Sequence, residues 1–171
     1  MAGPAEIGRR LQGGAHTVQA KFINPILSAM VDVLSTMAQV EPTPGRPQVK
    51  GDDRARGVVS AVIGIEGERT RGSLAISFPE PVIRDIVRRM LGEEMTVVDD
   101  TARDLTGEIS NMVLGSAKAA YAEAGYDFGL TQPRVFSGEN HVIDHGVDGP
   151  RILLPFATEA GEFFVEICFR E

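Results

Sequence analysis

The sequence predicts an α+β domain in which long helices pack on a mostly antiparallel sheet. Two observations indicate this class. Apolar residues recur at steps of three and four along residues 22–37 and again along 105–120, as they do on one face of a helix. Residues 58–78 and 131–169 instead contain short runs rich in β-branched and aromatic side chains, separated by turns. Because each kind of element buries one face, the helices and the sheet are expected to cover each other.

Composition and charge limit the classes of protein to which this chain can belong. Its 171 residues are 43% apolar, which is enough for one domain with a real core. Twenty-four acidic residues against 17 basic residues give a formal charge of −7, which argues against a nucleic-acid or anionic-membrane partner. No apolar run is long enough to span a bilayer, and the N-terminus lacks the apolar core of a signal peptide. The single Cys168 has no partner for an internal disulfide, so we expect a buried thiol in a cytoplasmic protein.

The chain begins with a segment that carries little structural information. Residues 1–16 are rich in glycine and predict a mobile extension, which leaves residues 17–171 as a single domain. A helix is predicted over residues 22–37, where Pro25 is tolerated because it falls in the first turn or so. The proline-rich stretch 41–47 ends this helix and predicts a loop.

A hairpin and a short helix are predicted next. Residues 58–65 and 72–78 have the composition of strands, and the turn at 66–68 lets them pair. Pro79 then opens a helix that runs to about Gly92, with apolar residues on one face and arginines on the other.

The second half repeats this order, starting with the longest predicted helix. Asp99 is a suitable N-terminal cap, and the helix is expected to run to about Ala124, with Gly125 as its stop. The strands predicted after it are 131–137, 141–144, 152–156 and 163–169.

The two halves can be aligned, although the similarity is weak. Lys21 and Asn24 at the head of the first helix fall opposite Glu108 and Asn111 on the long helix. This arrangement is consistent with an internal duplication, and it is also consistent with two helices that meet similar packing demands.

The long helix carries the candidate functional residues. Its predicted core face contains Leu105, Ile109, Met112, Val113, Ser116 and Ala120. A separate stripe at the edge of that face contains Asp104, Glu108, Asn111 and Gly115. An asparagine inside a helix needs a reason, because its amide competes for backbone hydrogen bonds. A carboxylate can hold a cation and an amide can orient a water, so the pair predicts a site that positions chemistry without a nucleophile.

Small residues continue the stripe and leave two interpretations open. Gly115 costs a helix interior roughly 1 kcal/mol relative to alanine, which favours a close approach by another surface. Gly115, Ala119 and Ala122 could pack against the first helix of the same domain. Alternatively, Asp104, Gly115 and Ala119 could contact a partner that docks on this helix.

Several segments resemble the CheX family of chemotaxis phosphatases, within the wider CheC/CheX/FliY group. The group's signature is a Glu-x-x-Asn pair on a long helix followed by a small residue, and here it reads Glu108-Ile-Ser-Asn111-Met-Val-Leu-Gly115. The resemblance extends over about residues 18–171. Its other segments are Phe22-Ile-Asn-Pro25, Gly72-Ser-Leu-Ala-Ile-Ser-Phe-Pro79, Arg89-Met-Leu-Gly-Glu93 and Gly161-Glu-Phe-Phe-Val-Glu166.

The resemblance implies a fold, a reaction and partners. It implies a CheC-like two-layer domain with a pseudo-twofold internal duplication, which hydrolyses the aspartyl phosphate of a CheY-type response-regulator receiver. Asn111 would hold the attacking water and Glu108 would pair with the receiver's active-site lysine. The receiver would supply Mg²⁺, so no cofactor or metal of the chain's own is expected. Relatives of this type form homodimers by joining sheets edge to edge, so a homodimer is expected here too, and the late strands of this chain could join in the same way.

Some residues depart from the family pattern, and alternatives remain. Lys21 stands where a second Glu-x-x-Asn pair would begin, so a single site is expected, with Asn24 as a helix-start cap. The chain could instead be a non-catalytic module that binds a receiver or only dimerises. Glu139, His141, Asp144 and His145 lie close in sequence and could bind a metal, although ordinary surface placement is favoured.

Overall fold

The computed structural model describes residues 20–68 and 70–170, with side chains described for 23–68 and 70–169. The predicted extension over residues 1–16 and the side chain of Lys21 therefore lie outside the described residues.

The described chain folds into three helices and eight strands. The helices are α1 (Ala20–Ala38), α2 (Glu80–Leu91) and α3 (Asp100–Glu123). The strands are β1 (Thr43–Pro44), β2 (Gln48–Lys50), β3 (Val59–Gly67), β4 (Arg71–Phe78), β5 (Phe128–Leu130), β6 (Arg134–Ser137), β7 (Arg151–Thr158) and β8 (Gly161–Arg170). Among these residues, none of the helices combines the length and apolar character that a bilayer crossing requires.

All eight strands form one antiparallel sheet whose pairing follows the same pattern in both halves. Its order is β1-β7-β8-β4-β3-β5, with β2 also on β7 and β6 also on β3. The hairpin β3–β4 thus corresponds to the hairpin β7–β8, and the two hairpins meet where β4 pairs with β8. The short strands β5 and β6 pair with β3 as β1 and β2 pair with β7. The predicted α+β class and its pseudo-twofold arrangement are confirmed.

Alternation along the central strands directs two sets of side chains to opposite faces of the sheet. Ile63 and Leu74 belong to the main core, which includes the buried residues of all three helices. Their neighbours Val62 and Ala75 join a smaller apolar cluster on the other face. The helices therefore cover one face, and a non-helical segment that includes Ile143 covers part of the other.

Two predictions about strands were wrong. The predicted loop 41–47 contains β1, and β2 follows it. Strands of two and three residues are too short for an alternating pattern to reveal them. Residues 141–144 do not form a strand, because only Val142 makes a single bridge, to Arg54. The side chains in this segment instead anchor it to the sheet.

The prediction that Asn24 caps a helix was also wrong. Helix α1 begins at Ala20, so Asn24 and Pro25 lie inside it. A cap must lie outside the first turn, where its oxygen can accept from a free amide. The Oδ1 atom of Asn24 is instead buried with no hydrogen-bond partner among the described residues.

Candidate functional site

Helix α3, which carries the candidate residues, is well defined at both ends. The side chain of Asp99 accepts a hydrogen bond of 3.1 Å from the amide of Ala102, as the sequence predicted for its cap. Gly125, with φ of +90°, follows the last turn in a conformation that favours glycine. Both ends of α3 are thus fixed by local chemistry.

The inner side of α3 is held against α1 and the sheet by apolar and small residues. Ile109 and Val113 are fully buried, and Tyr121 packs edge-on against Phe128 of β5 with ring centroids 5.0 Å apart. At Gly107 the helix comes close to β6, since a Cβ there would lie 3.5 Å from Val135 Cγ2. This packing fixes the direction in which the outer side of α3 points.

Small polar residues on the inner side satisfy their hydroxyls within the helix. Thr106 Oγ1 donates to the carbonyl of Ala102 at 2.7 Å, and Ser110 Oγ donates to that of Gly107 at 2.6 Å. These hydroxyls are therefore satisfied without leaving the helix, and they add no nucleophile to the surface.

The stripe of Asp104, Glu108, Asn111 and Gly115 is exposed along its whole length. The predicted position at the edge of the buried face was wrong. With roughly 100° per residue, the buried residues form an arc whose centre lies almost opposite the stripe. The prediction placed Ser116 and Ala120 in the core, but both are exposed and line an open groove of about 350 Å³ beside α1. It omitted Leu114, Ala117 and Tyr121, which are buried.

The small residues of the stripe do not pack against α1. Ala119 and Ala122 are exposed, and no described atom lies within 4 Å of the place where a Cβ of Gly115 would be. The interpretation of internal packing was therefore wrong, and this part of α3 is free for contact with another surface.

The polar groups of the stripe are also free. Within the described part of the chain, the side chains of Asp104, Glu108 and Asn111 take part in no hydrogen bond or ion pair. The neighbouring Arg103 turns away from them to Asp100 and to Ser137 Oγ, 3.4 Å distant. Two carboxylates and one amide are thus available to a partner with no internal bond to break.

The four residues considered from the sequence as metal ligands, Glu139, His141, Asp144 and His145, do not converge on one point. In the part of the chain that the structure describes, no group of three or more acidic, histidine or cysteine side chains is placed to hold one. His141 Nε2 lies 2.7 Å from Ser60 Oγ, and His145 Nε2 lies 3.2 Å from Glu166 Oε1. Glu139 and Asp144 are exposed.

Sequence reasoning missed a buried polar network behind the sheet. Lys50 Nζ donates to Glu166 Oε2 at 2.7 Å, and both side chains are buried. Burial works to raise the pKa of Glu166, but hydrogen bonds from His145 and Lys50 outweigh it and hold that pKa below its usual range. One signal was present, because Glu166 is the single charged residue within the apolar stretch 163–169 of β8.

These features define a class of protein. The polar groups of the stripe stand on the outside of a regular helix, where they can meet the surface of another protein. The family model described as chemotaxis phosphatase CheX matches residues 59–157, which include all of α3 and most of the sheet. The chain belongs to this family, which confirms the predicted phosphatase class.

Individual relatives agree with this assignment. A CheC-like superfamily protein from Shewanella sp. PV-4 is 44% identical, with a TM-score of 0.84 over 90% of this chain and 100% of that one. The CheY-P phosphatase CheX of Thermotoga maritima is 27% identical over 124 residues, 72% of this chain and 79% of that protein. The crystal structure of a CheX–CheY–BeF₃–Mg²⁺ complex from Borrelia burgdorferi superposes with a TM-score of 0.70 at 26% identity, over 88% of this chain and 98% of that one.

Proposed function

We propose that this protein hydrolyses the aspartyl phosphate of a CheY-type response-regulator receiver. The observation that carries the proposal is the exposed pair Glu108 and Asn111, whose side chains have no partner among the described residues. Membership of a family of chemotaxis phosphatases and similarity to a CheY-P phosphatase support it. The reaction ends a phosphorylation signal in a two-component or chemotaxis pathway.

We assign to Asn111 the role of holding the attacking water in position. Hydrolysis of an acyl phosphate proceeds by in-line attack, so the main requirement is alignment of water with the phosphorus–oxygen bond. The amide of Asn111 can accept a hydrogen bond from that water and donate another to a phosphoryl oxygen. No proton transfer to the amide is needed, since the leaving carboxylate is a weak base.

Glu108 is assigned to recognition of the receiver's active-site lysine. It lies almost one helical turn before Asn111 on the same face, so one docked receiver can reach both side chains. Asp104, Gly115 and Ala119 would contact the receiver around them. Mg²⁺ would come with the receiver, and the Borrelia burgdorferi complex, in which BeF₃ stands in for the phosphoryl group, contains both CheY and Mg²⁺.

The remaining expectations complete the proposal. Residues 17–171 act as one domain with a single site on α3, and the side chain of Lys21 lies outside the described residues. The short strands at the two ends of the sheet are the places where two copies would join as a homodimer in the cytoplasm.

The decay of a phosphorylated receiver tests the proposal. A panel of CheY-type receivers is phosphorylated with acetyl phosphate, and loss of phosphate is followed with and without this protein. Asn111→Ala should lower kcat roughly 100-fold, because an unaligned water loses most of the positioning effect. The variant should still bind the BeF₃-activated receiver. Glu108→Ala should mainly raise the receiver concentration that gives half-maximal rate.

Two controls make the test specific. Gln132→Ala removes an exposed amide outside α3, and Glu123→Ala removes an exposed carboxylate near the end of α3. Both should retain full activity. Binding without faster decay would identify a non-catalytic receiver-binding module instead, and no binding to any receiver of the panel would contradict the proposal.

A further inference from the structure

An open groove lies between α1 and α3, beside the stripe. Ser116 and Ala120 of α3 line one side of it, and Pro25 and Ala29 of α1 line the other. Its volume of about 350 Å³ is at the lower end of the range for pockets that hold ligands, roughly 300–1,000 Å³. Because serine and alanine are small, the main chain of another protein can come close to both helices here.

Four polar side chains line the groove, and none of them has a partner among the residues that the structure describes. They are Asn24, Ser28 and Asp32 on α1 and Ser116 on α3. The Oδ1 atom of Asn24 is also buried, and the adjacent Pro25 has no amide hydrogen to offer it. A buried acceptor without a donor is unfavourable, so a donor that enters the groove is stabilised there. The terminal torsion of asparagine is broad, which lets the amide turn Oδ1 toward that donor.

Asp32 gives the groove its charge. It is the one ionisable residue among the described residues that line the groove, its side chain is exposed, and no described cation pairs with it. Asn24, Ser28 and Asp32 are spaced by four residues, so they follow one face of α1 over about 12 Å. The groove therefore offers an unsatisfied acceptor at one end and a negative charge at the other, which suits a segment that carries several donors and one cation.

The groove adjoins the surface on which the receiver is proposed to dock. Ser116 follows Asn111 by five residues, about 7.5 Å along the helix axis. Gly115 and Ala119 lie between these two residues on the surface of α3. A specific interface covers about 800 Å² of each partner, which corresponds to a radius of about 16 Å. A receiver centred on Asn111 therefore extends over Gly115 and Ala119 to the groove.

We propose that the groove between α1 and α3 receives a surface loop of the docked receiver, and that Asp32 pairs there with a lysine or arginine of that loop. Donors of the loop bond to Asn24 and to the hydroxyls of Ser28 and Ser116. The formal charge of −7 on the chain favours a basic surface on the partner. A receiver with an acidic residue at the matching place is rejected, so Asp32 determines specificity. This inference rests on the proposed function, because it concerns the same docked receiver.

Filling the groove tests whether the receiver uses it. Ser28→Trp places an indole there from an exposed position of α1, on the helix that does not carry Glu108 and Asn111. Both the Kd for the BeF₃-activated receiver and the receiver concentration at half-maximal rate should rise about tenfold or more. The kcat should change less than about twofold. Glu162→Trp, at an exposed position on β8, adds the same indole outside both helices and should leave all three values unchanged.

Charge variants test the assigned occupant. Asp32→Asn should raise the Kd about twofold to fivefold, as expected for an exposed ion pair, and should make binding less sensitive to salt. Asp32→Lys should raise it further, because it places like charges together. Replacement of one lysine or arginine of the receiver by glutamate should restore binding to Asp32→Lys and so identify the residue in the groove. Glu162→Lys is the matched charge reversal and should bind normally.

The outcomes separate this inference from the proposed function. Normal affinity of Ser28→Trp and Asp32→Lys for a receiver that the unmodified protein dephosphorylates would overturn the groove assignment alone. Binding without faster decay would contradict the phosphatase activity, and the Kd values would still decide on the groove. No binding to any receiver would overturn both.

Two further results bear on the occupant. A change in the mass of Ser28→Trp in solution with unchanged receiver affinity would mean that a second copy of the chain fills the groove, against the inference. If no charge reversal in the receiver restores binding to Asp32→Lys, the assignment of a cation is wrong. Should Ser28→Trp fail to fold by circular dichroism, Asp32→Lys decides, since its side chain is exposed.

Discussion

Gly115 stands in the middle of α3 although no described neighbour requires a glycine there. A Cβ at this position would meet no described atom within 4 Å, and the backbone is helical. Glycine inside a helix is unfavourable by roughly 1 kcal/mol relative to alanine, because the unfolded chain gains more freedom. A surface that approaches α3 closely from outside would account for this glycine, as the proposed docking of a receiver requires.

Substitution at Gly115 should separate stability from docking. Gly115→Ala should raise the free energy of unfolding by about 0.5–1 kcal/mol, measured as a higher urea midpoint with an unchanged slope. Gly115→Trp should also leave the fold intact, because its side chain points to solvent, but it should weaken binding of the BeF₃-activated receiver. Glu162→Trp, at an exposed position on β8 and outside α3, controls for the added indole. A Gly115→Trp variant with normal receiver binding would show that docking does not use this part of α3.

The residue-scale prediction from the sequence was right about which side chains share a face and wrong about where that face lies. Glu108 and Asn111 fall together because their spacing alone decides it. The location of the core face depends on what packs against the helix. Tyr121 is buried against Phe128 of β5, and helical periodicity cannot indicate such a contact between two elements. Ser116 was assigned to the core, but it borders an open groove.

At the scale of elements, α3 depends on its first turn. The carboxylate of Asp99 accepts from the amide of Ala102 at 3.1 Å, which satisfies one of the free donors at the helix start. Asp104, the first residue of the stripe, follows this turn directly. Fraying of the first turn would therefore reach the stripe.

Removal of this cap should loosen the start of α3. Asp99→Ala should lower the free energy of unfolding by about 1 kcal/mol, visible as a lower urea midpoint. Asp99→Ser keeps a side-chain oxygen at the cap and should retain most of the stability. If serine and alanine destabilise the protein equally, the cap is not the cause.

Elements of eight residues or more were predictable from the sequence, and of the shorter strands only β6 falls within a predicted strand, 131–137. The hairpin β3–β4, helix α2 and both ends of α3 agree with the predictions because each has its own pattern and its own turn or cap residues. Strand β2 forms because its backbone can pair with the neighbouring strand β7, with Val49 opposite Ile152. The segment 141–144 contains apolar residues as a strand would, but its histidines bind serines of the sheet, which is a tertiary effect.

At the scale of the whole molecule, the buried network joins segments that lie far apart in the chain. Lys50 comes from β2 and Glu166 from β8, yet their side chains meet at 2.7 Å with almost no exposure. Removing one member of such a pair leaves the other charge buried without a partner, and this costs roughly 3–5 kcal/mol.

The acidic side of the stability profile should depend on Glu166. Its pKa in the folded protein is lowered, so the stability it contributes is present above the pKa of the unfolded chain and is lost as the pH falls through the folded value. Glu166→Gln should therefore lower stability near neutral pH and make it less dependent on pH below about pH 4.5, the ordinary value of the group. Urea unfolding at a series of pH values measures this change.

A matched variant completes the measurement on Glu166. Glu162→Gln removes an exposed carboxylate from the same strand and should leave the profile unchanged. If the stability of Glu166→Gln falls with decreasing pH as steeply as that of the unmodified protein, other carboxylates determine the stability of the fold in acid.

The position of the stripe on the outside of a regular, well-packed helix also bears on how fast the protein can act. In the proposed mechanism no loop has to close and no internal bond has to break before a receiver docks, so the ordering entropy lost at contact is mainly that of the side chains themselves. Turnover should then be governed by how often a collision has the right orientation, and less by a conformational step within this protein. Such a design suits a signal that must be reset quickly, because every properly aligned collision can be productive.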